Sequence, residues 1–230
     1  MKDIILLHGA IGAADQLQPL ANALQQKQFN VYSFSFSGHG KIPFGDKFEI
    51  PQFALELDHF ILQNRLQQPS VFGYSMGGYV ALYLAHTKPA LIGNIITLGT
   101  KFSWSAEIAA KEVNMLDAAI ITGKVPKFAA ALQARHGADW KILLQKTAEM
   151  MLGLGSNPVL TEAVLSSLEH KVLIGLADHD TMVSLEETVA AFRQLKHADM
   201  YMLPGTKHPI ETVNVGLLAE VIGNSLYSES

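Results

Sequence analysis

The 230-residue sequence predicts an α/β domain built on a mostly parallel sheet of about six strands with flanking helices. Two observations carry that expectation. Short apolar runs bounded by Gly or Pro alternate with stretches of helical period, the pattern of stacked strand–helix units. Hydrophobic residues make up 49% of the chain and charged residues 17%, which suits one large domain with a buried core and excludes a disordered chain.

Taken in order, strands are expected near residues 3–7, 30–36, 70–74, 94–98, 171–176 and 199–203. Helices are expected over about 15–27, 51–68, 76–87, 184–196 and 211–226. In the second of these, Phe53, Leu57, Phe60 and Ile61 recur at helical spacing and give one apolar face. The second strand, "VYSFSFSG", alternates: Tyr32, Phe34 and Phe36 point one way, while Val31, Ser33, Ser35 and Ser37 point the other. A central parallel strand is apolar on both faces, so this one belongs at or near an edge. The alternation of strands and helices stops over 101–168, which reads as several successive helices. That stretch is rich in large apolar side chains, among them Trp104, Met115, Leu116, Trp140, Met150, Met151 and Leu152. It either packs a core of its own or forms a lid whose inner face lines a pocket.

Composition excludes several functions. A net charge of −4, with the 17 basic residues scattered, leaves no footprint for nucleic acid. There is no cysteine, so disulfides and thiolate metal sites are ruled out. "MKDIILLHGA" has too few apolar residues for a signal-peptide core, and no run approaches the roughly 20 residues of a membrane span. The expectation is a soluble, cytoplasmic protein.

The chemistry centres on "VFGYSMGGYV", residues 71–80. Gly73-Tyr74-Ser75-Met76-Gly77 fits G-x-S-x-G at a strand-to-helix seam, where a strained turn lifts a serine hydroxyl above the sheet and side chains two residues away would collide. The helix that follows at once aims its free N–H groups at developing negative charge. A phosphate loop is excluded, because no G-x-x-x-x-G-K-[ST] occurs. A dinucleotide site would use "LLHGAIGAAD", which lacks G-x-G-x-x-G, and no acid follows the second strand to hold a ribose.

A reactive serine needs a base, and the base needs an orienting carboxylate. "VLIGLADHDTMV" is a strand followed by a loop with two aspartates, Asp178 and Asp180. "MYMLPGTKHPIE" is a strand followed by a loop with one histidine, His208. The order Ser, Asp, His is the one this elbow uses, and both loops follow the C-terminal ends of strands, where ligands bind in open α/β sheets. His8 and His39 read as residues that shape turns, and Glu211 as the start of the last helix, favouring its N-terminus. A metal held by Asp178, His179, Asp180 and His208 is not expected, because serine chemistry accounts for the histidine and an aspartate among them without one; no cofactor is expected either.

The landmarks "LLHG", "SGHG", "GYSMGG", "DHDTMV" and "GTKHPIE", in this order, resemble the α/β-hydrolase fold superfamily, in particular its small serine esterases, lipase-like members and C–C-bond hydrolases. The resemblance spans essentially the whole chain. It implies one domain over 1–230 with a helical cap inserted at 101–168. It also implies a sheet lacking the two strands that usually come first, which leaves the 30–36 edge open to a homodimer. The pattern D-x-M-V matches Asp180-Thr181-Met182-Val183 to the family's orienting acid; counting three residues from Gly175 selects Asp178 instead. The implied triad is Ser75, Asp180 and His208, with Asp178 the alternative acid. The implied oxyanion hole is made by the backbone N–H groups of Met76 and Ala10. A serine at the elbow argues against the dehalogenase and epoxide hydrolase branches, which place an aspartate there. The expected function is hydrolysis of a small to medium carboxylic ester or thioester through an acyl-enzyme. The alternatives are a C–C bond or enol-lactone hydrolase with the same triad, and a non-catalytic ligand-binding protein on the same fold.

Overall fold

The computed structural model describes residues 1–227. Its six strands form one all-parallel sheet. They are β1 (Asp3–Leu7), β2 (Asn30–Ser33), β3 (Ser70–Tyr74), β4 (Ile95–Leu98), β5 (Lys171–Ala177) and β6 (His197–Leu203), in the spatial order β2-β1-β3-β4-β5-β6. From β1 the chain winds outward to β2, then returns to build β3 to β6 on the other side. Strand order therefore reverses between β1 and β3. In such a sheet the crevice past the carboxyl ends of those two strands is where ligands bind. Residue 8 onward and residue 75 onward open into that crevice.

The helices between strands are α1 (Gln18–Gln26), α2 (Ile50–Gln63), α3 (Met76–Thr87) and α9 (Leu185–Gln194), and α10 (Val215–Tyr227) follows β6. Alternate strand residues face opposite layers. Ile5, Leu7, Val71 and Ile95 pack with Phe53, Leu57 and Ile61 of α2 and Val80 and Leu84 of α3. Ile4, Leu6, Phe72 and Ile96 pack with Leu20 and Leu24 of α1 and Leu218 and Ile222 of α10. The central strands are thus buried on both faces, as their unbroken apolar runs require.

Between β4 and β5 lie α4 (Ala106–Val113), α5 (Ala118–Lys124), α6 (Pro126–His136), α7 (Trp140–Ser156) and α8 (Glu162–Ser167). The packing of this stretch is divided between two cores. Ile121, Leu132, Trp140 and Leu144 form a separate small core. Met150 and Leu154 of α7 join the main core instead.

Several element boundaries differ from the sequence expectation. β2 is an edge strand, but it ends at Ser33 and not at 36. The Phe36 N–H turns to the His8 ring, and the Phe36 side chain is fully buried against Phe53. α2 stops at Gln63 because Arg65 and Gln68 take positive φ, 54° and 45°. Glu211 does not begin the last helix. It lies in a single 3-10 turn, Ile210–Thr212, and α10 starts at Val215 behind Asn214, whose Oδ1 accepts the Leu217 N–H. The Glu211 carboxylate accepts from Gln16 Nε2 at 2.5 Å and lies 3.7 Å from Arg135.

Candidate active site

Ser75 sits between β3 and α3 with φ 51° and ψ −115°, a conformation that costs an L-residue of order 1–3 kcal/mol and persists only when its surroundings enforce it. Neighbouring glycines are what permit it. A Cβ on Gly73 would lie 2.3 Å from the Gly78 nitrogen, and one on Gly77 would lie 2.5 Å from the Leu7 carbonyl. The sheet end and the first turn of α3 are thus in backbone contact. The Ser75 N–H donates to Leu98 O at 2.8 Å, and Thr100 Oγ1 donates to Ser75 O at 3.0 Å, so β4 clamps the turn from its far side.

The loops after β5 and β6 bring Asp180 and His208 together. His208 Nδ1 lies 2.6 Å from Asp180 Oδ2, both side chains are largely buried, and the other carboxylate oxygen accepts the Met182 and Val183 N–H groups at 2.8 and 2.9 Å. Burial pushes the Asp180 carboxyl up, but the hydrogen bond from His208, its charge and these two amides outweigh burial and hold it below its ordinary value. A carboxylate only accepts, so Nδ1 carries the proton and Nε2 is the free ring nitrogen. Gly99, at φ 61°, makes room for the pair: a Cβ there would lie 3.3 Å from Asp180 Oδ2 and from the His208 ring. Tyr74 donates to His208 O at 2.9 Å and steadies the loop from below.

Asp178 points elsewhere. Its two oxygens accept the Gly205 and Thr206 N–H groups, both at 2.9 Å, which ties the loop after β5 to the loop that carries His208. Those amides hold its carboxyl below the ordinary value. Among the described residues, no three His, Asp or Glu side chains are disposed to hold a metal ion.

The turn after β1 forms the third side. A Cβ on Gly9 would meet the Tyr74 ring at 2.8 Å and the Ser75 Cβ at 3.2 Å, so this turn lies directly on the elbow. His8 shapes it: Nε2 accepts the Phe36 N–H at 3.1 Å, so Nδ1 carries the hydrogen and donates to Gly9 O at 2.8 Å. The ring is thereby fixed as neutral imidazole, and burial lowers its pKa to about 4. His39 lies against it and His136 against His39, and both are also lowered, chiefly by burial. His136 joins α6 to this turn, accepting from Gly40 N at 3.0 Å and donating to Ile11 O at 2.9 Å.

Ser75, Met76, Ala10 and His208 all line one cavity, with about 510 Å³ of empty space partly open to solvent. Its other walls are mostly apolar: Ile50, Tyr79, Met182 and Val183 from the sheet domain, and Trp104, Met150, Met151 and Leu154 from the segment between β4 and β5. Two charged residues that sequence patterning gave no reason to single out also line it, Lys101 and Glu112. Lys101 donates to Met182 O at 2.8 Å and lies 3.4 Å from Glu112 and 3.6 Å from Glu187. These three residues are far apart in sequence and occur in no short motif, so only the fold reveals them.

Over 94 residues the chain is 28% identical to ethanol acetyltransferase 1 of Hanseniaspora uvarum, a match covering 39% of this chain and 27% of that protein. The chain thus spans about a third or less of the curated relatives it matches first. A longer match, 27% identical over 192 residues, is to a thermostable monoacylglycerol lipase of Bacillus sp., covering 78% of this chain and 71% of the lipase. Among solved structures, a thermophilic esterase from Thermogutta terrifontis superposes with a TM-score of 0.78 at 18% identity, covering 99% of this chain and 90% of the esterase. A family model matches residues 3–138, more than half of the sequence, a span that includes β1 to β4 and the glycine-bounded serine at the reversal of strand order, and the chain belongs to that family, the alpha/beta hydrolase fold.

Proposed function

We propose that the protein is a cofactor-free serine hydrolase that cleaves a small to medium carboxylic ester or thioester. Ser75 Oγ attacks the acyl carbon while His208 Nε2 takes its proton. Asp180 holds the imidazole by its Nδ1–H and stabilises the imidazolium that forms. The N–H groups of Met76, at the start of α3, and Ala10, in the turn after β1, receive the tetrahedral oxyanion. The proton then passes from His208 to the departing alkoxide or thiolate, which leaves an acyl-serine. Water, losing a proton to His208, attacks this ester, and collapse of the second intermediate releases the acid and restores the Ser75 hydroxyl. The segment 101–168 acts as a cap whose inner wall receives the acyl chain.

One observation carries this reading: a serine held at positive φ shares a cavity with a histidine whose far nitrogen is 2.6 Å from a buried aspartate. The test is hydrolysis of p-nitrophenyl esters from acetate to decanoate by the wild type and by Ser75→Ala. Turnover that requires Ser75 and peaks at one chain length supports the reading and sizes the pocket. Absence of turnover in a protein that still labels with a fluorophosphonate would redirect it to C–C or lactone hydrolysis. Absence of labelling as well would leave a binding protein.

A further inference from the structure

The cavity wall contributed by the cap carries two polar atoms that nothing in the protein satisfies. Glu112 has a side chain only 7% exposed, and its Oε2 is buried without a hydrogen-bond partner. Trp104 Nε1 is likewise buried without a partner. Both residues line the cavity that holds Ser75 and His208. Leaving a buried acceptor or donor unpaired costs about 1–3 kcal/mol, more for a charged group, so two of opposite kind in one small apolar cavity require an explanation.

Neighbouring groups are already engaged. Lys101 spends its ammonium on Met182 O, Glu112 Oε1 and Glu187 Oε2. Glu187 in turn accepts from the N–H groups of Phe102 and Ser184 at 3.0 and 3.3 Å. One lysine faces two carboxyl groups, so the cluster is short of positive charge, and the unmet oxygen is the one on Glu112. An incoming carboxylate would be repelled there. An ammonium would satisfy Glu112 but leave the Trp104 N–H unpaired. A hydroxyl both donates and accepts, so it is a simple group whose chemistry suits an unmet acceptor and an unmet donor on residues that line the same cavity.

We propose that Glu112 and Trp104 form a hydroxyl-recognition subsite beside Ser75, so that the favoured substrate is an ester bearing a free hydroxyl, which donates to Glu112 Oε2 and accepts from Trp104 Nε1. This rests on the hydrolase reading for the word "substrate", but not for binding. The hydroxyl can belong to the acyl chain or to a polyol alcohol, and matched pairs of esters separate the two sources.

The experiment is isothermal titration of Ser75→Ala protein with ethyl 3-hydroxyhexanoate against ethyl hexanoate, and with 1-monohexanoylglycerol against propyl hexanoate. One hydroxylated ester is expected to bind at least about tenfold more tightly than its match, the range for a hydrogen bond to a charged group. Adding Trp104→Phe, or separately Glu112→Gln or Glu112→Leu, is expected to shrink that ratio to within about threefold. The readout is the ratio, because a variant that merely loosens the cavity weakens both members of a pair alike. Equal affinities within both pairs, absence of binding by either hydroxylated ester, or a ratio unmoved in every variant that folds would overturn the subsite. A wild type that shows the ratio yet hydrolyses nothing through Ser75 would overturn the hydrolase reading and leave the subsite standing.

Discussion

The two walls of the cavity are built by different physics. The wall made by β1, β3 and their following turns is fixed by close contact: a Cβ on Gly73 or Gly77 would lie 2.3 or 2.5 Å from neighbouring backbone, and one on Gly9 would lie 2.8 Å from the Tyr74 ring. The opposing wall, from the segment between β4 and β5, is held by side chains, with Lys101 between Glu112 and Glu187 and with Met150 and Leu154 in the main core. Backbone contact leaves one geometry and tolerates almost no substitution. A wall of methionine, leucine and one tryptophan can be reshaped without unfolding the sheet. The proposed function accordingly places the chemistry on the first wall and the choice of substrate on the second.

The largest expected effects fall on the first wall. Ser75→Ala should lower kcat for any accepted ester by at least about 10⁴-fold with the fold intact, measured by turnover and circular dichroism. Asp180→Asn should lower kcat about 10³–10⁴-fold, whereas Asp178→Asn should lower it less than about tenfold and reduce Tm instead, because Asp178 only ties two loops. If Asp178→Asn alone abolished turnover in folded protein, the orienting acid would have been misassigned.

Next in size is a change in stability. Gly77→Ala places a methyl 2.5 Å from the Leu7 carbonyl and should destabilise by roughly 3 kcal/mol or more in urea unfolding, or prevent folding. A loss below about 1 kcal/mol would show that the elbow can give way. Acid should act on the same wall. His8, at a folded pKa of about 4, binds a proton in the unfolded chain near pH 6.5 but not in the folded one. Between those values the unfolded state holds more protons, so stability rises with pH and is lost as pH falls from about 6.5 toward 4. Burial lowers His39 and His136 in the same sense. Stability from urea titrations should fall by about 2 kcal/mol or more between pH 7.5 and 5. A flat profile there would mean that these imidazoles are not held neutral.

The smallest expected effect belongs to the second wall. Met151→Ala, at a partly exposed lining position, should move the preferred acyl chain toward longer esters and change stability by less than about 1 kcal/mol. An unchanged chain-length profile would remove Met151 from the acyl path.

The same division explains what was legible in the sequence. The elbow is local: five consecutive residues specify a turn whose sterics leave little freedom, so the strained strand-to-helix turn at Ser75 is legible in the sequence. The strands are legible because β-branched and apolar runs sit between glycines. Alternation continues to residue 36, but β2 ends at Ser33 because the His8 ring, remote in sequence, captures the Phe36 N–H. An acid after Pro209 looks like a first helical turn at Glu211, but Asn214 supplies the cap further on, and the helix starts at Val215. Lys101, Glu112 and Glu187 left no trace in the sequence, because their pairing is made only when α4, α9 and the chain after β4 meet.

The most direct test of the central proposal is labelling of folded protein with a fluorophosphonate, followed by mass spectrometry of the peptide that carries the adduct. The expected result is one adduct on Ser75, absent in Ser75→Ala and strongly slowed in Asp180→Asn. An adduct on another serine, or none on folded wild type, would contradict the assignment of Ser75 as nucleophile.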